Sequence, residues 1–408
     1  MSVNPMIQKL VERTYIDKYH QYYKVINNLS WKAKNLFNVA NYHIRQEFFA
    51  NHKYIGFFDL YHLLKQTDAY RDLPTKVSKQ IVKRVAQTWK GYFQAHKDWK
   101  KNPSKYLSEP KIPHYLDKEK GRYVVIYPPD ALSRPALKKG IVKLSMVEVY
   151  LPTQVTEKVL EVRFVPKDSC YVMEVVYEKE DQSIPNDPDV LASIDCGLNN
   201  LITLGTNHRD IKPLIINGKG IKSINGWYNK TRAIIQSQLK GKQKTTAKLK
   251  AITAKRNRRI ESALHTASRI VVNYCLENKV SRLAIGYNSQ WKQKIGIGKK
   301  NNQNFVQIPH RKLIDQIKYK AALVGIEVIE TEESYTSKCS ALDLEPIQKH
   351  ESYIGKRVKR GLFKTATGLL VNADWNGLCN IGRKVFGNEF VSNLIGASPL
   401  SPIVVNPL

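Results

Sequence analysis

The chain has 408 residues, with 66 Lys and Arg against 35 Asp and Glu, a formal net charge of +31 and an isoelectric point near 9.8. Such a field repels a second copy and attracts polyanions, so nucleic acid is the expected partner ahead of a ribosomal or membrane-surface role. An apolar fraction of 42% argues against a disordered tail, no apolar run approaches the roughly 20 residues of a membrane span, and five scattered cysteines without a CxxC pair suggest neither a disulfide framework nor a zinc site.

In chain order, Ile7–Tyr15 alternates as a strand does, and Asn27–Lys101 reads as helical. Within it, Lys76–Lys100 carries Val77, Ile81, Val82, Val85, Trp89, Tyr92 and Phe93 at helical spacing, with lysines and Arg84 on the other face. Pro103–Pro113 is a breaker-rich linker. Short strand-like runs follow at Tyr123–Tyr127, Gly140–Leu144, Glu148–Leu151, Leu160–Val165 and Tyr171–Tyr177. They predict a small β-barrel or sandwich, with the helical block inserted after its first strand. Beyond a polar boundary at Ser183–Pro188 the pattern becomes α/β. Val190–Ile194 and Leu201–Leu204 read as paired strands, and Trp227–Lys279 as a basic helical stretch broken near Gly241. Arg282–Ile285 is a strand, Arg311–Val324 a helix, Glu327–Glu332 a strand and Asp374–Phe386 a helix.

The chemistry concentrates in this last region. Leu191–Asp195 is an apolar strand that delivers a carboxylate next to a turn at Gly197 and Asn199–Asn200. A carboxylate on a central strand needs a compensating cation, whereas an Asp in a β-turn needs none, and this segment alone leaves both open. Asp374 stands where a helix begins, which suits a cap as well as a ligand. Asn376 and Asn380, four residues apart, share a helix face that meets either nucleic acid or solvent.

Taken together, Ile194-Asp-Cys-Gly-Leu-Asn, Tyr335-Thr-Ser-Lys-Cys339 and Asn372-Ala-Asp-Trp-Asn-Gly377 resemble the motifs of the TnpB family. These are transposon-encoded, RNA-guided nucleases related to type V CRISPR effectors and Fanzor proteins. The resemblance runs over the whole chain and implies an α+β multidomain fold. A wedge β-barrel at 1–20 and 106–184 would hold a helical recognition domain at 21–105. An RNase H-like RuvC nuclease domain at 185–338 and 370–408 would carry a small basic insertion at 339–369, at the position of a degenerate zinc finger.

Two departures from the family pattern matter. The middle catalytic Glu of the family usually ends the strand that here reads Arg282-Leu-Ala-Ile-Gly286, so Gly286 stands in its place. Glu332-Glu333 ends the next strand, three residues before Thr-Ser, and resembles the relocated Glu of some relatives. Strand alternation points adjacent side chains to opposite faces, which favours Glu333 over Glu332. Gly286→Ala is then expected to matter little. In the second departure, the CxxC pairs of relatives are reduced to Cys339, and Lys349–Lys364 interleaves basic residues with Tyr353, Val358, Leu362 and Phe363. No zinc is expected, and that segment reads as a nucleic-acid-binding hairpin packed by aromatics or as a solvated basic loop.

The resemblance implies an Mg²⁺-dependent RNA-guided DNA endonuclease with catalytic and metal residues Asp195, Glu333 and Asp374. Two Mg²⁺ ions would activate water and stabilise the leaving oxygen, with Asp195 bridging them. The partners would be a guide RNA from the transposon end and double-stranded target DNA, with no membrane and a monomeric protein. Nucleic-acid contacts are assigned to Gln80, Lys83, Arg84, Gln87 and Lys90 on one helix, to Trp291 and Lys292, to Lys356, Arg357, Lys359 and Arg360, and to Asn376 and Asn380. The expected location is the cytoplasm, at the prokaryotic nucleoid when DNA is bound. Three rivals remain: a nuclease-dead guided repressor, a transposase acting through its own acidic triad, and a passive RNA-binding protein. Gly286 favours the first of these, and the three carboxylates oppose it.

Overall fold

The computed structural model describes residues 7–167, 170–182, 186–241, 243–288, 307–359, 361–395 and 401–408. It is a mixed α+β structure divided into two compact units, Ile7–Lys179 and Glu180–Leu408. Trp291, Lys292 and Arg360 lie outside the described residues.

The first unit opens with β1 (Ile7–Asp17), and a helical block follows: α1 (Tyr23–Asn51), α2 (Phe57–Leu64), α3 (Asp68–Arg71) and α4 (Thr75–Lys101). Apolar residues three and four apart give each long helix one inward stripe: Ile26, Leu29, Ala33, Leu36, Phe37, Ala40 and Ile44 on α1, and Val77, Ile81, Val82, Val85 and Trp89 on α4. Trp89 buries its ring fully and donates its indole N–H to Asn41 Oδ1 at 2.8 Å, so its one polar atom is satisfied. On the outer face of α4, Lys83, Gln87 and Lys90 are exposed, and Gln80 and Arg84 are half-buried.

The strands of this unit are β2 (Val125–Tyr127), β3 (Ile141–Lys143), β4 (Tyr150–Pro152), β5 (Lys158–Pro166) and β6 (Cys170–Glu180), with a short helix, α5 (Arg134–Lys138), ahead of β3. They correct the barrel expectation. Four strands pair in the order β1-β6-β5-β2, and β3 and β4 form a separate two-stranded sheet. Closure is not seen among the described residues, because β2 offers three residues at one edge and β3–β4 pair with each other instead.

The second unit is built on a six-stranded sheet in the order β11-β10-β7-β8-β9-β15. Its strands are β7 (Asp187–Cys196), β8 (Asn200–Thr206), β9 (Leu214–Asn217), β10 (Val280–Gly286), β11 (Glu327–Thr331) and β15 (Ile403–Val405). β7 runs antiparallel to β8 and parallel to β10, and β10 runs parallel to β11. A strand buried on both faces reads as a continuous apolar run, which is what Val190–Ile194 is. The helical stretch is two helices, α6 (Lys219–Ser237) and α7 (Ala247–Glu277). Gly241 between them has φ +58°, a left-handed conformation that glycine adopts without strain. Next come α8 (His310–Ala322), a three-stranded sheet of β12 (Lys356–Lys359), β13 (Leu362–Lys364) and β14 (Leu370–Asn372), then α9 (Ala373–Phe386) and α10 (Glu389–Ser392). Among the described residues no helix is long and apolar enough to cross a membrane.

Candidate active site

Asp195 lies near the end of the central strand β7, opposite Thr203 of β8. Helix α9 packs against this strand and is fastened to it by Ser193 Oγ, which donates to the carbonyl of Leu378 at 2.7 Å. Asp374, Gly377, Ile381 and Lys384 occupy α9 at spacings of three, four and three, one continuous face. Gly377 makes the packing possible: a Cβ there would lie 2.8 Å from Asp195 Oδ2.

The cap of α9 is Asn372, whose Oδ1 accepts from the backbone N–H of Asp374 at 2.9 Å and of Trp375 at 3.1 Å. Asp374 is therefore released from capping. Its Oδ2 accepts from Asn200 Nδ2 at 2.7 Å, and its Oδ1 lies 3.6 Å from the Arg357 guanidinium on β12. Glu333 follows β11, and its backbone is held by a turn. Its carbonyl accepts from the N–H of Thr336 at 3.2 Å and from Thr336 Oγ1 at 2.8 Å. Lys384 donates to the flanking carbonyls of Glu332 at 3.0 Å and Ser334 at 2.9 Å.

The two adjacent glutamates differ as alternation predicts. Glu332 turns outward, with its side chain 53% exposed and its carboxylate on Lys384 at 3.2 Å. Burial alone would raise its pKa, but the bonds from Ser334 and Lys384 outweigh burial and hold it below the ordinary value. Glu333 turns inward, and its Oε1 is buried without a hydrogen-bond partner. Burial first, then the Asp195 and Glu332 charges, push its pKa to about 9. Burial and then Asp374 push Asp195 to about 7, against the pull of Arg357. Asp195 is thus electrostatically coupled to both other carboxylates. Among the described residues no three acidic, His or Cys side chains already stand as a metal cluster. The donor set nevertheless suits a hard divalent cation: it is all carboxylate oxygen, mutually repelling, and includes one buried oxygen that nothing else satisfies.

These shifts predict how chelator-treated protein responds to pH. The folded chain keeps the Asp195 proton to about 7 and the Glu333 proton to about 9, whereas the unfolded chain releases both near about 4. The folded state therefore binds more protons across that window, and stability should fall as pH rises from about 4 to 9. Denaturant titrations at stepped pH in EDTA check this, and Glu333→Gln should remove the upper part of the decline.

Asn376 and Asn380 are a correction. Both are fully buried and face the protein, out of reach of nucleic acid. Asn376 Oδ1 accepts from Ala341 N and its Nδ2 donates to the Cys339 carbonyl, both at 2.9 Å. Asn380 Nδ2 donates to the carbonyls of Thr336 at 2.9 Å and Cys339 at 2.7 Å, while its Oδ1 accepts from Arg383 at 2.8 Å. A loop without regular structure has backbone groups to satisfy, and these two amides satisfy them.

The insertion is held in part by the expected aromatic Phe363, which joins a buried cluster with Ala341, Leu342 and Val371, and in part by polar side chains. Phe363 is buried, but Val358 is exposed, as are Lys356, Arg357 and Lys359 along β12. The buried Glu345 carboxylate accepts from Ser340 N at 2.6 Å and Ile354 N at 2.9 Å. The Cys339 thiol is engaged by the carbonyls of Pro346 at 3.4 Å and Gln348 at 3.7 Å. Sequence reasoning missed Asn200, Asn372, Gly377 and Lys384 as supports of the site. Counting helical spacing onward from Asp374 would have found Gly377 and Lys384.

Residues 174–292 match the family model OrfB_IS605, a probable transposase, and residues 310–381 match the Cas12f1-like TNB domain. No curated protein matches the sequence. The chain resembles a structure described as the Cas12f1-sgRNA-target DNA complex at 14% identity and a TM-score of 0.53, covering 89% of this chain and 83% of that one. It also aligns with the mini-RNA-guided endonuclease CRISPR-Cas_phi3 at 11% identity and a TM-score of 0.46, covering 97% and 94%. The first likeness shows a shared fold. Of the two matched segments, one carries Asp195 and the other carries Glu333 and Asp374, and the two matches together are consistent with a TnpB family protein.

Proposed function

We propose that this protein is an RNA-guided DNA endonuclease that hydrolyses target DNA next to a short adjacent motif, using divalent metal held by Asp195, Glu333 and Asp374. The observation that carries the proposal is the coupling of three carboxylates drawn from distant segments of one sheet and its packed helix, two of them with strongly raised pKa values. Mg²⁺ bound there would supply activation of water and charge stabilisation at the scissile phosphate. The chain's own part is to hold those carboxylates in place. Gly377 admits Asp195, Asn372 frees Asp374 from capping, and Thr336 with Lys384 fixes the turn that carries Glu333. Arg357, on the exposed β12, can exchange the Asp374 carboxylate for a phosphate of an arriving strand.

Guidance by RNA is supported by the matches to the OrfB_IS605 and Cas12f1-like models and by the fold shared with a protein described in complex with sgRNA and target DNA. In this reading pairing with the guide reads sequence, while Gln80, Lys83, Arg84, Gln87 and Lys90 on α4 contact the adjacent motif. Residues 21–105 would be the recognition domain, 1–20 with 106–184 the wedge, and 339–369 the basic insertion of a nuclease domain at 185–338 and 370–408. The chain would act as a monomer at the nucleoid.

Protein expressed with its transposon end should copurify with one RNA species that has a constant scaffold and a variable end. Target affinity should require that RNA and fall steeply with salt. Tight, sequence-specific DNA binding by RNA-free protein would count against guidance. A second reading, guided binding without cleavage, is favoured by Gly286 at the usual ligand position. A cleavage assay with Mg²⁺ on the same complex separates the two.

A further inference from the structure

The sequence suggested that Gly286 merely marks a lost ligand and tolerates Ala. The space around it says otherwise. Gly286 ends β10, paired with Thr331 at the end of β11, and Glu333 stands two residues beyond Thr331. A Cβ added at Gly286 would lie 2.8 Å from Glu333 Cγ, 2.9 Å from Glu333 Oε1 and 2.5 Å from Ile381 Cδ1. Its backbone does not lie in the left-handed region, so the constraint is space and not conformation. Ile381 is fully buried, which limits how far it can retreat. Glu333 Oε1 has no hydrogen bond to aim it. The direction of that side chain is therefore set by what it packs against, namely the notch that Gly286 leaves beside Ile381.

We infer that Gly286 is a positioning residue for Glu333: the missing side chain on β10 is the room that the relocated carboxylate occupies, so the two positions accept one long side chain between them and not two. This rests on the nuclease reading above and deepens it. The pair is then a steric couple, in which a carboxylate can enter from β10 with a small residue at 333, or from the turn after β11 with glycine at 286. Either arrangement fills the same space beside Ile381.

The experiment compares Gly286→Ala, Gly286→Glu, Glu333→Gly and the reciprocal double variant Gly286→Glu/Glu333→Gly. Each is measured for guided DNA cleavage and, as RNA-free full-length protein, for Mn²⁺ affinity by electron paramagnetic resonance. Thermal melting confirms that each variant is folded. Gly286→Ala should lose at least about tenfold in cleavage and in Mn²⁺ affinity, while target binding by the guided complex holds. Gly286→Glu alone should be worse than the double variant, which should cut at least about tenfold faster than Glu333→Gly. Wild-type cleavage and Mn²⁺ affinity in Gly286→Ala overturn the inference, and so does a double variant no better than Glu333→Gly. If Glu333→Gly itself cuts like wild type, the assignment of Glu333 as a ligand has failed, an outcome distinct from a tolerant position 286.

Discussion

Glu333→Gln should reduce guided DNA cleavage by about a thousandfold or more while leaving RNA and target binding within about twofold. The substitution keeps the size and hydrogen-bonding reach of the side chain and removes the charge. Loss of a metal-holding carboxylate removes several kcal/mol of transition-state stabilisation, and about 4 kcal/mol is already a thousandfold in rate. The control is its neighbour. Glu332 points to solvent, where Lys384 and Ser334 engage it, so Glu332→Gln should keep most of the activity. Single-turnover cleavage at saturating Mg²⁺ measures both. Activity in Glu333→Gln with loss in Glu332→Gln would contradict the orientation of this turn. Wild-type activity in both single variants and in the double variant would leave no relocated ligand, and the third carboxylate would have to come from elsewhere.

The second large effect falls on stability. Asn380→Leu should destabilise the Glu180–Leu408 unit by about 3 kcal/mol, because it strands two buried carbonyls and one bond of the buried Arg383. For a unit of this size that corresponds to a fall in melting temperature of roughly 6 °C or more. The same change loosens the Thr336–Cys339 loop, whose Thr336 holds the Glu333 carbonyl, so cleavage should fall with stability. A residue that contacts nucleic acid from the surface would change affinity and leave the melting temperature alone. An unchanged melting temperature in Asn380→Leu would therefore restore the surface assignment. Calorimetry together with filter binding distinguishes the two outcomes.

Much of this molecule can be read from local pattern. Hydrophobic periodicity marks α1, α4, α8 and α9 and the strands that carry the site, because burial on one face or both leaves its period in the sequence. The order of strand, carboxylate and turn around Asp195 is local, and so is the alternation that separates Glu332 from Glu333. Charge points to a polyanion partner without any fold at all.

What the pattern leaves open depends on residues far apart in the chain. Spacing places Asn376 and Asn380 on one face of α9, but only packing decides that this face meets the Thr336–Ala341 loop and not solvent. Strand runs are visible in the first unit, yet whether they close a barrel depends on which edges pair, and among the described residues the four-stranded sheet is open. The ion pair between Arg357 and Asp374 joins β12 to the first turn of α9, a contact that no spacing rule anticipates. Gly286 is the sharpest case. As a letter it is an absence, and in space it is the room that Glu333 fills, because excluded volume is a property of neighbours brought together by the fold.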